Sequence, residues 1–403
     1  MSEELNEEKT GAVAETAGDV AAEASAEPQA APAPEPAAEP ELPRRRQWIT
    51  LRGTSMDLRV GAGLLETIAS DMASAVGRPR TAVLAATVAA PADAVETLRR
   101  GLTDKGFLVK RIDLPQGDDA CAFSALAGVY ESLAGAGATA DDLVVGMGDE
   151  AALSLCAAAC AHWCGQVMFA AVPLDLAAAL TCGVLPRALD VASASRMVSH
   201  DGSARFEICD LDLLLPASTA ENRLLARAFM VAAAMTDSEK AFGALWDASE
   251  AVAADDPAAL IDAVAEAIRS AGKVASSTSV AIRQSIEYGQ TIRRALRAVV
   301  PADVPESTLM ADALRISARL SVAREEFSID DMFTQDDLLE RLGLGTVACP
   351  VETDALIEAI KAERFSRSNR FVLNLPRSLG RVRLAAVDTD MLAEHIGAWC
   401  AAR

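Results

Sequence analysis

Apolar and polar positions follow two regimes along the chain. Between residues 47 and 215, short apolar runs at 81–87, 107–114, 142–147 and 167–172 alternate with segments whose apolar residues recur every three to four positions. Short apolar runs bounded by turn residues predict buried strands, and the recurrent segments predict helices over 64–75, 91–106, 120–134 and 150–164. Two further short strands are expected at 48–52 and 57–60, with Gly61-Ala62-Gly63 as the turn into the first helix. This β-α-β rhythm predicts a parallel sheet covered by helices, with ligands outside the carboxyl ends of its strands.

After residue 216 the spacing is helical almost throughout, with helices expected at 220–235, 237–254, 257–271, 280–299, 307–323, 334–342 and 353–362. Two late strand-like runs, 370–374 and 381–386, are expected to form a hairpin before a last helix. The fold class is therefore α/β. A Rossmann-like parallel α/β domain at 47–215 precedes a mainly α-helical domain at 216–403.

Residues 1–46 follow neither regime. Before Arg44 there are eleven acidic residues against Lys9 alone, in an Ala/Pro/Glu-rich stretch with almost no large apolar side chain to offset the entropy of ordering it. The segment is expected to be a disordered tail. It has neither the basic start nor the apolar centre of a secretory signal, and its acidity is unlike an organelle transit peptide, so a cytoplasmic location is expected.

Charge and residue counts narrow the chemistry. With 37 basic and 58 acidic residues the net charge is −21, which disfavours nucleic acid as a partner, because such binding needs clustered cations. The apolar stretch at 151–186 is interrupted by His162, Gln166 and Asp175, so no membrane span is expected. Three histidines in 403 residues leave little room for imidazole-based metal sites or catalysis. Cys156, Cys160 and Cys164 recur every four residues around His162. On a helix the outer two stand about 12 Å apart along the axis, too far to share one ion. Small residues at a tight helix contact are the expected reading, and His162 is expected to pack or cap there. No GxSxG nucleophile elbow occurs.

Several strings, in this order of elements, resemble the 3-dehydroquinate synthase family. They are Val60-Gly61-Ala62-Gly63-Leu64-Leu65, Leu114-Pro115-Gln116-Gly117-Asp118, the ungapped interval from Gly148 to Pro173, the helix at 286–297, and the segment from Glu363 to Arg381 with Leu375-Pro376 and Leu379-Gly380. The resemblance implies an NAD-binding α/β domain joined to a metal-binding helical domain, and pairing through the nucleotide domains.

Residue by residue, the implied site is altered. The family's three-glycine nucleotide loop falls on Gly148, Asp149 and Glu150, where two carboxylates repel a pyrophosphate and Asp149 is suited to cap the following helix. The implied metal ligands fall on Ala226, Gln290 and Glu306. Arg187, Arg283, Arg294 and Arg364 remain as candidate anion-binding residues, since guanidinium groups grip phosphate or carboxylate in two-pronged fashion.

The expectation is therefore a catalytically degenerate homologue that serves as a binding, regulatory or assembly subunit. It is expected to carry no NAD and no metal, to form a homodimer or a dimer with an active paralogue, and to take a small anionic metabolite. The alternative is an active 3-dehydroquinate synthase, or a related phosphate-eliminating lyase, using NAD and a divalent metal such as zinc.

Overall fold

The computed structural model describes residues 42–403. Of the tail expected at 1–46, residues 1–41 lie outside the described part, while Arg45 and Arg46 already belong to a strand. An edge hairpin of β1 (Arg45–Leu51) and β2 (Thr54–Gly61) leads into α1 (Ile68–Val76). Next come β3 (Thr81–Ala86), α2 (Ala92–Asp104), β4 (Leu108–Asp113), α3 (Asp118–Cys121), α4 (Ala125–Ala136), β5 (Leu143–Gly148), α5 (Glu150–His162) and β6 (Met168–Pro173). The α/β half then closes with α6 (Leu176–Ala179), a small hairpin of β7 (Leu189–Val191) and β8 (Ala194–Val198), and finally β9 (Phe206–Asp210) and α7 (Leu211–Ala217).

The helical half contains α8 (Ala220–Asp237), α9 (Glu239–Ala253), α10 (Pro257–Ala275), α11 (Val280–Gln284), α12 (Gln290–Val299), α13 (Glu306–Ala323), α14 (Ile329–Arg341) and α15 (Thr353–Phe365). The hairpin of β10 (Val372–Ser378) and β11 (Arg381–Ala386) follows, then α16 (Thr389–Ala401).

The main sheet runs β1-β2-β9-β6-β5-β3-β4 and is parallel except for the β1–β2 pair. Its inner strands β3 and β5 are buried along their whole length because helices cover both faces, which is why they read as unbroken apolar runs. Chain order reverses between β3 and β5, and a crevice opens beyond their carboxyl ends, where Gly148 stands. In the β5–β6 register Gly148 lies opposite Pro173. A side chain at position 148 would meet Thr87 Cγ2 and Ala152 Cβ, each at 2.9 Å, so packing alone requires glycine there.

Three expectations differ in detail. The helix predicted at 120–134 is split into α3 and α4, because Ala122 leaves the helical conformation. The helix predicted at 280–299 is broken, because Gly289 takes a φ of +78°, a conformation that favours glycine. The turn lets Tyr288 reach the core and donate its hydroxyl to Gln335 Oε1 at 2.7 Å. The α/β half also contains β9, which apolar patterning hid because a buried glutamate, Glu207, stands at its second position.

Candidate functional site

Beyond the strand ends, a cavity of about 700 Å³ opens between the loops of the α/β half and the start of α12. All four candidate anion-binding residues, Arg187, Arg283, Arg294 and Arg364, line it. Arg52, Arg196, Arg293 and Arg367 join them, so eight arginines face three carboxylates, Glu150, Asp201 and Glu287.

Several of these arginines are already engaged. Arg187 pairs with Asp190 at 3.1 Å. Arg294 bridges Glu287 at 2.9 Å and Glu363 at 3.2 Å. Although burial opposes it, this pairing holds the Arg294 guanidinium above its ordinary pKa and Glu287 below the usual carboxylate range. Arg293 contacts Glu306 at 3.3 Å, yet burial lowers its pKa and its Nε has no partner. Arg283 and Arg364 donate to the carbonyls of Ser277 (2.9 Å) and Arg370 (3.2 Å), with no carboxylate in ion-pair reach among the described residues.

Arg196 is the exception that sequence reading missed. Its guanidinium makes no hydrogen bond or ion pair among the described residues, and burial together with Arg294, Arg187 and Arg293 pushes its pKa down to about 10, although the nearby Glu150 carboxylate works against the fall. Its backbone is left-handed, with φ at +58°, which is costly for a side chain of this size. The turn is fixed from two sides: Asp190 Oδ1 accepts the Arg196 N–H at 2.7 Å, and Arg367 donates to the Arg196 carbonyl at 2.7 Å. A lone arginine after Ser193-Ala194-Ser195 is the only sequence signal it leaves.

His200 is the cavity's single histidine. Its ring nitrogens face the carbonyls of Asp201 (3.1 Å) and Ser154 (3.2 Å), and burial lowers its pKa. His162 bonds the Ala158 carbonyl at 2.8 Å, at the carboxyl end of α5. Cys156 and Cys160 are buried on that helix, and Cys164 lies exposed beyond it.

At the nucleotide-loop position Asp149 caps α5. One carboxylate oxygen accepts the Ala152 N–H and the other the Gly117 N–H, both at 2.8 Å. Glu150 faces the cavity beside the arginines. Of the positions corresponding to metal ligands, Ala226 is buried in α8, Gln290 lines the cavity, and Glu306 is committed to Arg293 and Arg297. No helix among the described residues is long and apolar enough to cross a membrane.

No protein-family model matches the chain. The 3-dehydroquinate synthase of Caulobacter vibrioides (strain NA1000 / CB15N) is 23% identical over 353 residues, 84% of this chain and 93% of that one. Among solved structures, 2-deoxy-scyllo-inosose synthase complexed with carbaglucose-6-phosphate, NAD+ and Co2+ superposes with a TM-score of 0.75 at 16% identity, over 87% of this chain and 99% of that one. The 2-epi-5-epi-valiolone synthase of Streptomyces hygroscopicus subsp. jinggangensis 5008, with NAD+ and Zn2+ bound, gives 0.71 at 13% identity, over 87% and 98%.

These neighbours correct the expectation that no cofactor is carried. Two synthases of this fold hold NAD+ together with Co2+ or Zn2+, which points to cofactors rather than to none. The side chains fit such groups poorly. Asp149 takes up the amide of Ala152 at the helix end where a pyrophosphate would be received, and no group of three His, Cys, Asp or Glu among the described residues is arranged to hold a metal ion. The chain is thus similar in sequence to a 3-dehydroquinate synthase across most of its length, and it shares the fold of two NAD+- and metal-bound synthases.

Proposed function

We propose that the arginine-walled cleft binds a small polyanionic metabolite, and that the chain serves as a binding, regulatory or assembly subunit of the dehydroquinate synthase-like type. The observation that carries this reading is Arg196, a half-buried guanidinium with no hydrogen bond or ion pair among the described residues, crowded by Arg187, Arg293 and Arg294 and opposed only at a distance by Glu150. A cation left unpaired in a crowded cleft is costly, and a phosphate or carboxylate seated beside it removes that cost. Arginine keeps its charge at any physiological pH, so such a cleft binds and orients an anion without supplying a proton acceptor. The side chains at the metal positions, Ala226, Gln290 and Glu306, support a role other than turnover.

The same reading includes a dimer, of the chain with itself or with an active paralogue. Phe123, Val191, Met197 and Val198, each 38–47% exposed, support it as an apolar patch on and beside the β7–β8 hairpin. Phe123 donates its N–H to the Asp190 carbonyl, which places it against that hairpin.

A second reading is an active enzyme of the sugar phosphate cyclase type, eliminating phosphate and closing a ring with NAD and a divalent metal. The cofactors bound by the structural neighbours favour it. The two are separated by incubating the full chain with a phosphorylated sugar acid, NAD+ and Co2+ or Zn2+. Phosphate release that depends on both cofactors supports the enzyme. Ligand-induced thermal stabilisation without release, abolished by Arg196→Ala, supports the binding subunit.

A further inference from the structure

The helical half carries a further concave surface, which shares no lining residue with the cleft. A groove of about 490 Å³ runs between α13, the start of α14 and α16, with Val322, Ala323, Met332 and Met391 among its walls. On α14, Ile329 and Phe333 project to solvent at 57% and 55% exposure, one helical turn apart. They do not belong to the core-facing side of that helix, which is formed by Met332, Gln335, Leu338 and Leu339. Two large apolar side chains at i and i+4 thus stand in water on the helix whose Met332 lines the groove, the kind of exposed apolar surface that contacts between proteins use.

The charge around the groove says which kind. Asp390 and Glu394 line it from α16 together with His395, and Asp330 and Asp337 are exposed on α14, so acids outnumber bases around it. The groove's one arginine, Arg319, is neutralised by Asp336 at 2.7 Å. An apolar floor with an acidic rim is complementary to a helix that carries apolar residues on one face and Lys or Arg along its flanks.

We propose that the α13–α14–α16 groove is the docking site for a basic amphipathic helix of a partner protein. Partner side chains one turn apart lie against Ile329, Phe333 and Met391, and flanking cations meet Asp390, Glu394 and Asp330. This inference is independent of what the cleft binds.

A fluorescent 18-residue Leu/Lys peptide with one apolar helical face, titrated by anisotropy into the full chain at physiological salt, tests it. Phe333→Asp, and separately the pair Asp390→Lys with Glu394→Lys, should each weaken binding at least tenfold. Leu108→Asp, at an exposed apolar residue on β4, should leave it unchanged. Because Phe333 and the acids are exposed, the variants should keep the wild-type melting temperature, and Ile329→Ser provides a milder variant with the same expected direction. Equal affinity for the wild type and the Phe333 variant overturns the proposal. So does equal affinity for a peptide of the same composition scrambled to remove its apolar face, since attraction by the net charge of −21 would then account for the binding.

Discussion

The guanidinium of Arg367, just after α15, donates to the backbone carbonyl of Arg196 at 2.7 Å. A residue of the helical half thereby holds the turn on which the α/β half presents its unpaired cation. Asp190 fixes the same turn from the other side while pairing with Arg187. The strain of a left-handed arginine persists because both halves of the chain determine it, the pattern expected where strain accompanies a binding role.

That arrangement gives the first prediction. Arg367→Ala should weaken binding of inorganic pyrophosphate several-fold without removing a cavity guanidinium other than its own, whereas Arg367→Lys should restore part of it. Titration of both variants, together with Asp190→Ala, which removes the acceptor of the Arg196 N–H, separates loss of one charge from loss of the backbone hold. If Asp190→Ala has no effect, that hold does not position Arg196 for binding.

At the helix end, Asp149 should act as a cap first. Asp149→Ala should cost about 1 kcal/mol of stability, the usual price of losing an N-cap side chain. Replacing both carboxylates, Asp149→Gly with Glu150→Gly, should tighten NAD+ binding at least tenfold, because like charge is removed and the Ala152 and Gly117 amides are freed. Calorimetry of wild type and double variant checks this, and unchanged affinity would place the nucleotide elsewhere.

Glu207 predicts a pH dependence. Complete burial raises its carboxyl from 4.5 to about 8; Cys182 Sγ, 3.3 Å from Oε1, works against the rise. A folded-state pKa above the unfolded one means that stability is full below about pH 4.5 and declines as pH rises towards 8. The decline is at most on the order of 4 kcal/mol. Glu207→Gln, which cannot ionise, should flatten thermal stability between pH 5 and pH 8, and a wild-type profile already flat across that window would contradict the account.

Much of the α/β half was legible because its inner strands are covered on both faces. Runs such as Thr81–Ala86 and Leu143–Gly148 carry apolar residues without alternation, and the helices between them keep a clear period. The resemblance rested on real geometry as well: Gly148 and Pro173 pair across adjacent strands, which fixes the interval between them. Arg187, Arg283, Arg294 and Arg364 come from four separate segments, and the fold gathers them around one cavity. What sequence could not give was Arg196, since it stands inside the short, irregularly paired strand β8, whose Ser-Ala-rich approach has no periodicity to read. The strand around Glu207 was hidden because a charged residue at its second position interrupts the apolar run. The break at Gly289 escaped because helical spacing continues on both sides of it.

The central claim is that the arginine cleft binds a small polyanion through Arg196. Isothermal titration of the full chain with inorganic pyrophosphate, for wild type and Arg196→Ala, tests it most directly. The account predicts saturable binding that weakens with added salt and falls at least tenfold in Arg196→Ala, equivalent to about 1.4 kcal/mol. Binding of equal strength in both proteins, or none in a wild-type protein shown to be folded, would contradict it.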